Sequence, residues 1–357
     1  MTTQQQFWDF LAEIEPSPST VGACSSAHNT LREVLRTDES FSELHVETFL
    51  SGSYKRDTAI RPQKIDGVLQ RPDVDIIVVT SHTADDDPHD VLDALHQALI
   101  DGGYKALKVN RRSIAVTLAT VDMDVVPVIE DGDAYLIPDV ELQDWLDTNP
   151  PAHTNWTIQV NSDAGGRFKP LVKLVKWWRR CHLSHLRRPK GFILECLVAE
   201  HMSYTEANWE VLFVQTLEAI RDAYAGHALL GTVPHLEDPG VPGNNVFSNV
   251  TVDEFKKFYN KVKEYAGLAR KALNETDDDE ALKQWRVILG PRFPASASAS
   301  SKAANSSLLR PAVGAGLVFP STPVFPNKPA ASPDGASPGP AATNGPREAG
   351  HRTDCSR

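Results

Sequence analysis

The stretch "RPDVDIIVVT", Arg71 to Thr80, constrains this chain more than any other. The unbroken apolar run from Ile76 to Val79 has no alternating wet face, so it reads as a strand entering a sheet buried on both sides. Two carboxylates open that strand. Side chains alternate along a strand, so Asp73 and Asp75 share a face. Two anions that close raise each other's pKa and repel unless a cation lies between them. Oxygen ligands of this kind suit Mg²⁺, which takes one or two carboxylates and completes its shell with phosphate oxygens. Taken alone, such a pair is more often a strand end with solvated acids.

Two neighbouring segments shift that balance. In "FLSGSYKRDTAI" (Phe49 to Ile60), a Gly-Ser follows a strand and precedes the acidic one. Gly52 lets a ligand approach the backbone closely, and the turn offers N–H groups and the Ser53 hydroxyl to a phosphate. In "VDMDVVPVI", Asp122 and Asp124 again share one face, and Asp124 leads into the apolar strand, which makes it the first choice for a third carboxylate. Three carboxylates make a platform for two metal ions and in-line phosphoryl transfer.

The period of the sequence changes along the chain. Residues 1 to 40 read as helices, and 45 to 138 as strands ("HVETFL", "VDIIVV", "YKALKV", "SIAVTL", "MDVVPVI", "AYLI") interrupted by the helix "PHDVLDALHQALIDGG". From Lys169 to Leu289 every pattern is helical. From Ala295 onward, Ala, Ser, Pro and Gly make 38 of 63 residues, too little apolar surface to offset the entropy of ordering, so this tail is predicted to be disordered. Its island "GLVFPSTPVF" (Gly316 to Phe325) is apolar enough for a docking motif.

The chain carries a net charge of -11, and residues 1 to 294 carry -14 once the tail's +3 is set apart. That balance argues against an extended nucleic-acid footprint, which needs a basic face. No apolar run reaches the roughly 20 residues of a membrane span, and the N-terminus has no signal-peptide pattern, so a cytoplasmic protein is expected. The four cysteines form no CxxC pair, which points to reduced structural thiols. The twelve histidines show no zinc spacing.

"GSYKRDTAI", "DVDIIVV", "VDMDVVP", the helix "FKPLVKLVKWW" and the ending "WRVILGPRFP" together resemble the bacterial cyclic-oligonucleotide synthases. These are the cGAS/DncV-like nucleotidyltransferases (CD-NTases, SMODS type) of CBASS antiphage systems, within the DNA polymerase β-like superfamily. The resemblance covers residues 5 to 294, with the motifs in the family's order. It implies an α+β fold: a polymerase β-like nucleotidyltransferase core with a mixed sheet (residues 1–165, with N-terminal helices), then a helical, oligoadenylate-synthase-like domain (166–294). The active site would lie in the cleft between them.

By the same resemblance, Gly52 and Ser53 hold the donor triphosphate, and Asp73, Asp75 and Asp124 bind two Mg²⁺, with Mn²⁺ as the alternative ion. Lys176 of the "LVKWW" pattern reaches the donor phosphates, with Lys173, one turn earlier, as the second choice. Where several relatives place a serine, this chain has Gly191, with Lys190 beside it. The implied substrates are NTPs, ATP first and GTP second. The implied product is a cyclic di- or trinucleotide sensed by a downstream effector, with a regulatory partner protein as a further option. The competing readings are a transferase acting on a tRNA end or a small molecule, and a catalytically inactive nucleotide-binding module.

Overall fold

The computed structural model describes residues 4–65 and 68–295. The expected disordered tail beyond residue 295, including the island Gly316 to Phe325, lies outside the described residues, as do Asp66 and Gly67. Helices α1 (Gln4–Ile14) and α2 (Pro18–Thr37) precede strand β1 (His45–Leu50). A four-residue helix α3 (Gly52–Lys55), a hairpin of β2 (Lys64–Ile65) and β3 (Val68–Leu69), and β4 (Asp73–Thr80) follow. Then come α4 (Pro88–Asp101), β5 (Leu107–Val109), β6 (Ile114–Thr117), β7 (Asp122–Asp131), β8 (Ala134–Asp139) and β9 (Asp144–Thr148). The rest is helical: α5 (Pro150–Asp163), α6 (Phe168–Leu183), α7 (Gly191–His201), α8 (Trp209–Leu230), α9 (Val252–Leu273) and α10 (Asp278–Leu289).

Local chemistry sets several of these boundaries. Ser17 caps α2 by accepting from the Thr20 amide, and Pro18 opens the helix where its missing N–H costs nothing. Thr251 and Glu254 form a reciprocal capping box at the start of α9. Gly231 closes α8 in the left-handed region at φ +69°.

The sheet is mixed, in the order β1-β4-β7-β6-β5, with β8 and β9 continuing from the far end of β7. β1 and β4 pair antiparallel, whereas β4 and β7 are parallel. Parallel neighbours need a long crossover, and here it carries α4, β5 and β6. Val74, Ile76 and Val78 are fully buried on one face of β4. On the other face the carboxylates of Asp73 and Asp75 are succeeded by Ile77 and Val79, which close a small core with Val128, Phe49 and Ile137.

The helical half has the larger core. Trp178, Trp209, Trp285, Phe213, Phe255 and Phe258 are all fully buried in it. Helix α1 joins the same core although it lies more than 150 residues away in sequence from α6. Phe7 meets Trp285 edge-on at 5.1 Å and Phe293 at 5.2 Å, and Phe10 meets Trp177 at 6.0 Å. Trp177 and Trp178 are therefore packing residues. Among the described residues no helix is long and apolar enough to cross a membrane.

Phe7→Ala removes an aromatic side chain from a site with no exposed surface, which costs about 3–5 kcal/mol. Chemical denaturation followed by tryptophan fluorescence should show that loss in the unfolding midpoint. A midpoint equal to wild type would mean that α1 is not part of the helical core.

Candidate active site

The carboxylates meet because of strand register. In the parallel pair, Asp73 lies opposite Asp122 and Asp75 opposite Asp124, so four acids occupy one face in two rows. Adjacent strands are about 4.8 Å apart, close enough for strong mutual repulsion. Asp122 is answered by the chain itself, since Arg71 donates to its Oδ1 at 2.6 Å. Asp124 is not: its Oδ1 is buried without a hydrogen-bond partner. This asymmetry supports Asp124 over Asp122 as the third member of the platform.

Burial, followed by the charges of Asp75 and Asp124, pushes the Asp73 carboxyl up to about 7, with Lys190 pulling the other way. Asp73 keeps an exposed surface at the lip of the cleft, yet enough chain crowds it that desolvation is the largest cause. Asp75 is raised to about 6 by burial and Asp124, against the opposing charges of Arg56 and Lys176. Groups held this far above the ordinary carboxylate value are waiting for positive charge.

The Gly-Ser turn closes over Asp75. The Ser51 amide donates to the Asp75 carbonyl at 2.9 Å, and Gly52 takes φ +66° directly above the side chain. A Cβ on Gly52 would stand 1.6 Å from Asp75 Oδ2, so only glycine fits. Past α3 the chain folds back, with the Thr58 and Ala59 amides donating to the Ser53 carbonyl at 2.9 and 3.1 Å.

A cavity of about 360 Å³ opens beside this turn. The sheet half lines it with Gly52, Ser53, Arg56 and Asp75, and the helical half with His153, Lys176, Gly191, Phe192 and Glu195. A larger depression of about 490 Å³ between the ends of α2 and α4 is remote from these acids and lined by Asp38, Glu39 and Asp101. The smaller cavity is the one that adjoins the chemistry.

Lys176 lies on the cavity floor, but its ammonium is engaged. It donates to Glu195 Oε1 at 2.7 Å, Thr58 Oγ1 at 3.0 Å and the Thr58 carbonyl at 3.2 Å. Glu195 has no exposed surface; its carboxyl is held at about 2, below its ordinary value, by Lys176 and Arg56, which outweigh its burial. Lys173, one turn earlier, reaches Glu15 at 2.9 Å and Asp57 at 3.1 Å and does not line the cavity. Gly191 leaves the room above Lys176 that a side chain would take, since a Cβ there would sit 3.4 Å from its Nζ.

Sequence reasoning overlooked Arg56, Thr58 and Glu195, which bind the two halves together. The signal was there in "GFILECLVAEH": a single acid inside an apolar helical run is buried and must have a partner. His153 was overlooked too; it bonds Asp238 at 2.6 Å and its ring lies 4.5 Å from that of Phe192.

The residues fit a divalent cation. An unpartnered carboxylate oxygen on Asp124 and two carboxyls raised by crowding form a hard-oxygen donor set with charge to neutralise. Among the described residues no three His, Cys, Asp or Glu side chains are gathered closely enough to form a metal site by themselves.

A mixed sheet with a Gly-Ser turn over an acidic strand, facing helices across one cavity, defines a nucleotidyltransferase of the polymerase β-like class. The profile of the SMODS family, the Second Messenger Oligonucleotide or Dinucleotide Synthetase domain, matches residues 1–161. The cyclic AMP-AMP-AMP synthase of Acinetobacter sp. is 66% identical over 333 residues, spanning 92% of this chain and 97% of its own. The cyclic AMP-AMP-GMP synthase of Enterobacter hormaechei is 29% identical over 357 residues, spanning 82% and 92%. In fold, CdnC of E. coli MS115-1, solved in complex with HORMA-deltaN, gives a TM-score of 0.64 at 19% identity, covering 82% of this chain and 98% of that one. The chain belongs to the SMODS family, nucleotidyltransferases that make cyclic oligonucleotides from NTPs. The family is in general dependent on a divalent metal.

Two outcomes follow for the acids. Asp73 and Asp75 bind protons more tightly folded than unfolded, so their contribution to stability declines as pH rises from about 4, where unfolded carboxyls ionise, towards the folded value of about 7. In metal-free buffer the D73N/D75N variant should therefore melt above wild type at pH 8, with the gap closing by pH 4; a gap independent of pH would exclude this cause. Gly52→Ala should abolish turnover, because its methyl group displaces the Asp75 carboxylate; retained activity would show that the close approach is dispensable.

Proposed function

We propose that this protein is a metal-dependent synthase that joins ATP into a cyclic trinucleotide, with a cyclic dinucleotide as the alternative ring size. The observation that carries the chemistry is the register of Asp75 with Asp124, one acid beneath the Gly-Ser turn and the other with a free buried oxygen. The choice of adenine rests on the 66% identity to a cyclic AMP-AMP-AMP synthase.

Gly52 and Ser53 receive the donor triphosphate, where the missing Cβ allows phosphate to approach the backbone. Lys176 lends positive charge from the cavity floor, and Lys173 supports the segment leaving α3 through Asp57. Asp73, Asp75 and Asp124 would hold two Mg²⁺ ions, or Mn²⁺ in their place. When bound, such ions activate an acceptor hydroxyl and neutralise the leaving pyrophosphate. Asp124 assists removal of the proton as the acceptor ribose hydroxyl attacks the donor α-phosphate in line and pyrophosphate leaves. Repetition on the linear intermediate, then closure, gives the ring. Because the acceptor is itself a small nucleotide, a chain with net charge -11 needs no basic nucleic-acid face.

Antiphage signalling from the cytoplasm to a downstream effector, under control of a regulatory partner protein, completes the proposal. It is supported by the family and, for the partner, by the HORMA complex of CdnC.

The full chain incubated with labelled ATP and Mg²⁺, without RNA, should yield a phosphatase-resistant product with the mass of a cyclic tri-adenylate. Asp75→Asn and Asp124→Asn should each leave less than about 1% of the rate, the loss expected when a metal platform fails. Label appearing only on added tRNA or an aminoglycoside would sink the proposal.

A further inference from the structure

Two cations and one carboxylate form the cavity floor, and they are not equivalent. Lys176 makes three hydrogen bonds inside the chain, to Glu195 Oε1, Thr58 Oγ1 and the Thr58 carbonyl. An ammonium has only three N–H donors, so none is left for a ligand. Arg56 uses one edge of its guanidinium: Nε donates to Glu195 Oε2 at 2.8 Å and Nη2 to Glu195 Oε1 at 3.2 Å. A guanidinium has five N–H donors in one plane, so the edge turned away from Glu195 keeps donors in hand.

Position and orientation are also fixed. Arg56 is the C-cap of α3, three residues past Ser53, and it lines the cavity together with Ser51, Gly52 and Ser53. Its guanidinium lies over the Phe192 ring at 5.0 Å, which holds the plane against rotation. Glu195 grips it along the Nε–Nη2 edge and has no exposed surface. A planar fork of this kind matches phosphate oxygens two at a time, which a lysine cannot do.

We propose that Arg56 contacts the donor triphosphate directly through the guanidinium edge turned away from Glu195, and that Lys176 serves as the buried tie behind it. The proposal rests on the reading of Gly52 and Ser53 as the donor-phosphate turn. Glu195 is then a positioning residue, since it sets the angle of Arg56 without reaching substrate. The sequence carries the hint in "GSYKRDT", where an arginine closes the turn that the glycine and serine open.

The test compares binding of inorganic tripolyphosphate and of adenosine to the full chain by calorimetry. Arg56→Met keeps an apolar side chain against Phe192 and leaves Glu195 paired with Lys176 and Thr58. It should weaken tripolyphosphate binding by about 10- to 100-fold, the range for a lost bond to a charged group, and leave adenosine binding unchanged. Arg56→Lys, which keeps the charge but not the fork, should fall between the two. Equal losses for both ligands, or wild-type affinity for tripolyphosphate in Arg56→Met, would overturn the role of Arg56. Should Arg56→Met fail to fold, Arg56→Lys decides alone, since wild-type tripolyphosphate affinity in that variant overturns the need for the fork. A wild-type protein that does not bind tripolyphosphate would overturn the donor-turn reading itself and this proposal with it.

Discussion

Parallel pairing of β4 with β7 sets four carboxylates on one face, two per strand, with neighbouring rows in register. In the low dielectric of a sheet edge that arrangement costs far more than a strand end in water. Each acid is compensated in a different way. Arg71 answers Asp122, the charge of Lys190 draws on Asp73, and Arg56 with Lys176 offsets Asp75. Asp124 is left with a bare oxygen, and the face as a whole remains short of positive charge. The rest of the architecture follows from holding that imbalance still until a substrate relieves it.

Rigidity comes from both ends of the cleft. Glu195 accepts from Arg56, Thr58 and Lys176, so one buried carboxylate joins the segment after the Gly-Ser turn to two helices of the other half. Breaking such a cluster by removing one partner leaves an uncompensated charge, so it opposes relative motion of the walls. At the far side, α1 packs its phenylalanines among the tryptophans of α6 and α10. The N-terminal segment thus braces the helical half, while Arg61 on the sheet half bonds back to the Glu15 carbonyl at the end of α1.

Much of this was legible in the sequence, for physical reasons that differ by element. The apolar run of β4, the helix-length apolar segments of α6 to α10 and the Pro88 and Gly102 boundaries of α4 are local signals, and the structure places those elements where they were expected. β9 was missed because "DWLDT" has only two apolar residues, adjacent rather than alternating, and none of its positions is fully buried. α5 was missed because its polar and apolar residues have no clear helical segregation. The triad of acids was legible because spacing along a strand dictates a shared face. Their pairing row by row was not, since register is a long-range property. Arg56 and Glu195 are 139 residues apart, and only the fold brings the pair together.

The same charges bear on what the cleft accepts. A chain with net charge -11 repels long polyanions at a distance, so a strand of nucleic acid would have to approach against its field. A single nucleotide needs only local attraction, and Arg56 and Lys176 put two positive charges beside Ser53, against the carboxylates of Glu195 and Asp75 that line the same cavity. Beside these cations, Asp75 and its neighbours on β4 and β7 are carboxylates suited to divalent ions. A triphosphate bridging the two would satisfy both sides at once, because its oxygens can serve the guanidinium and the metal together. A neutral or monoanionic ligand would satisfy neither. The acidic shell and the basic floor therefore select in the same direction, towards small, highly charged, metal-loaded substrates and away from polymers.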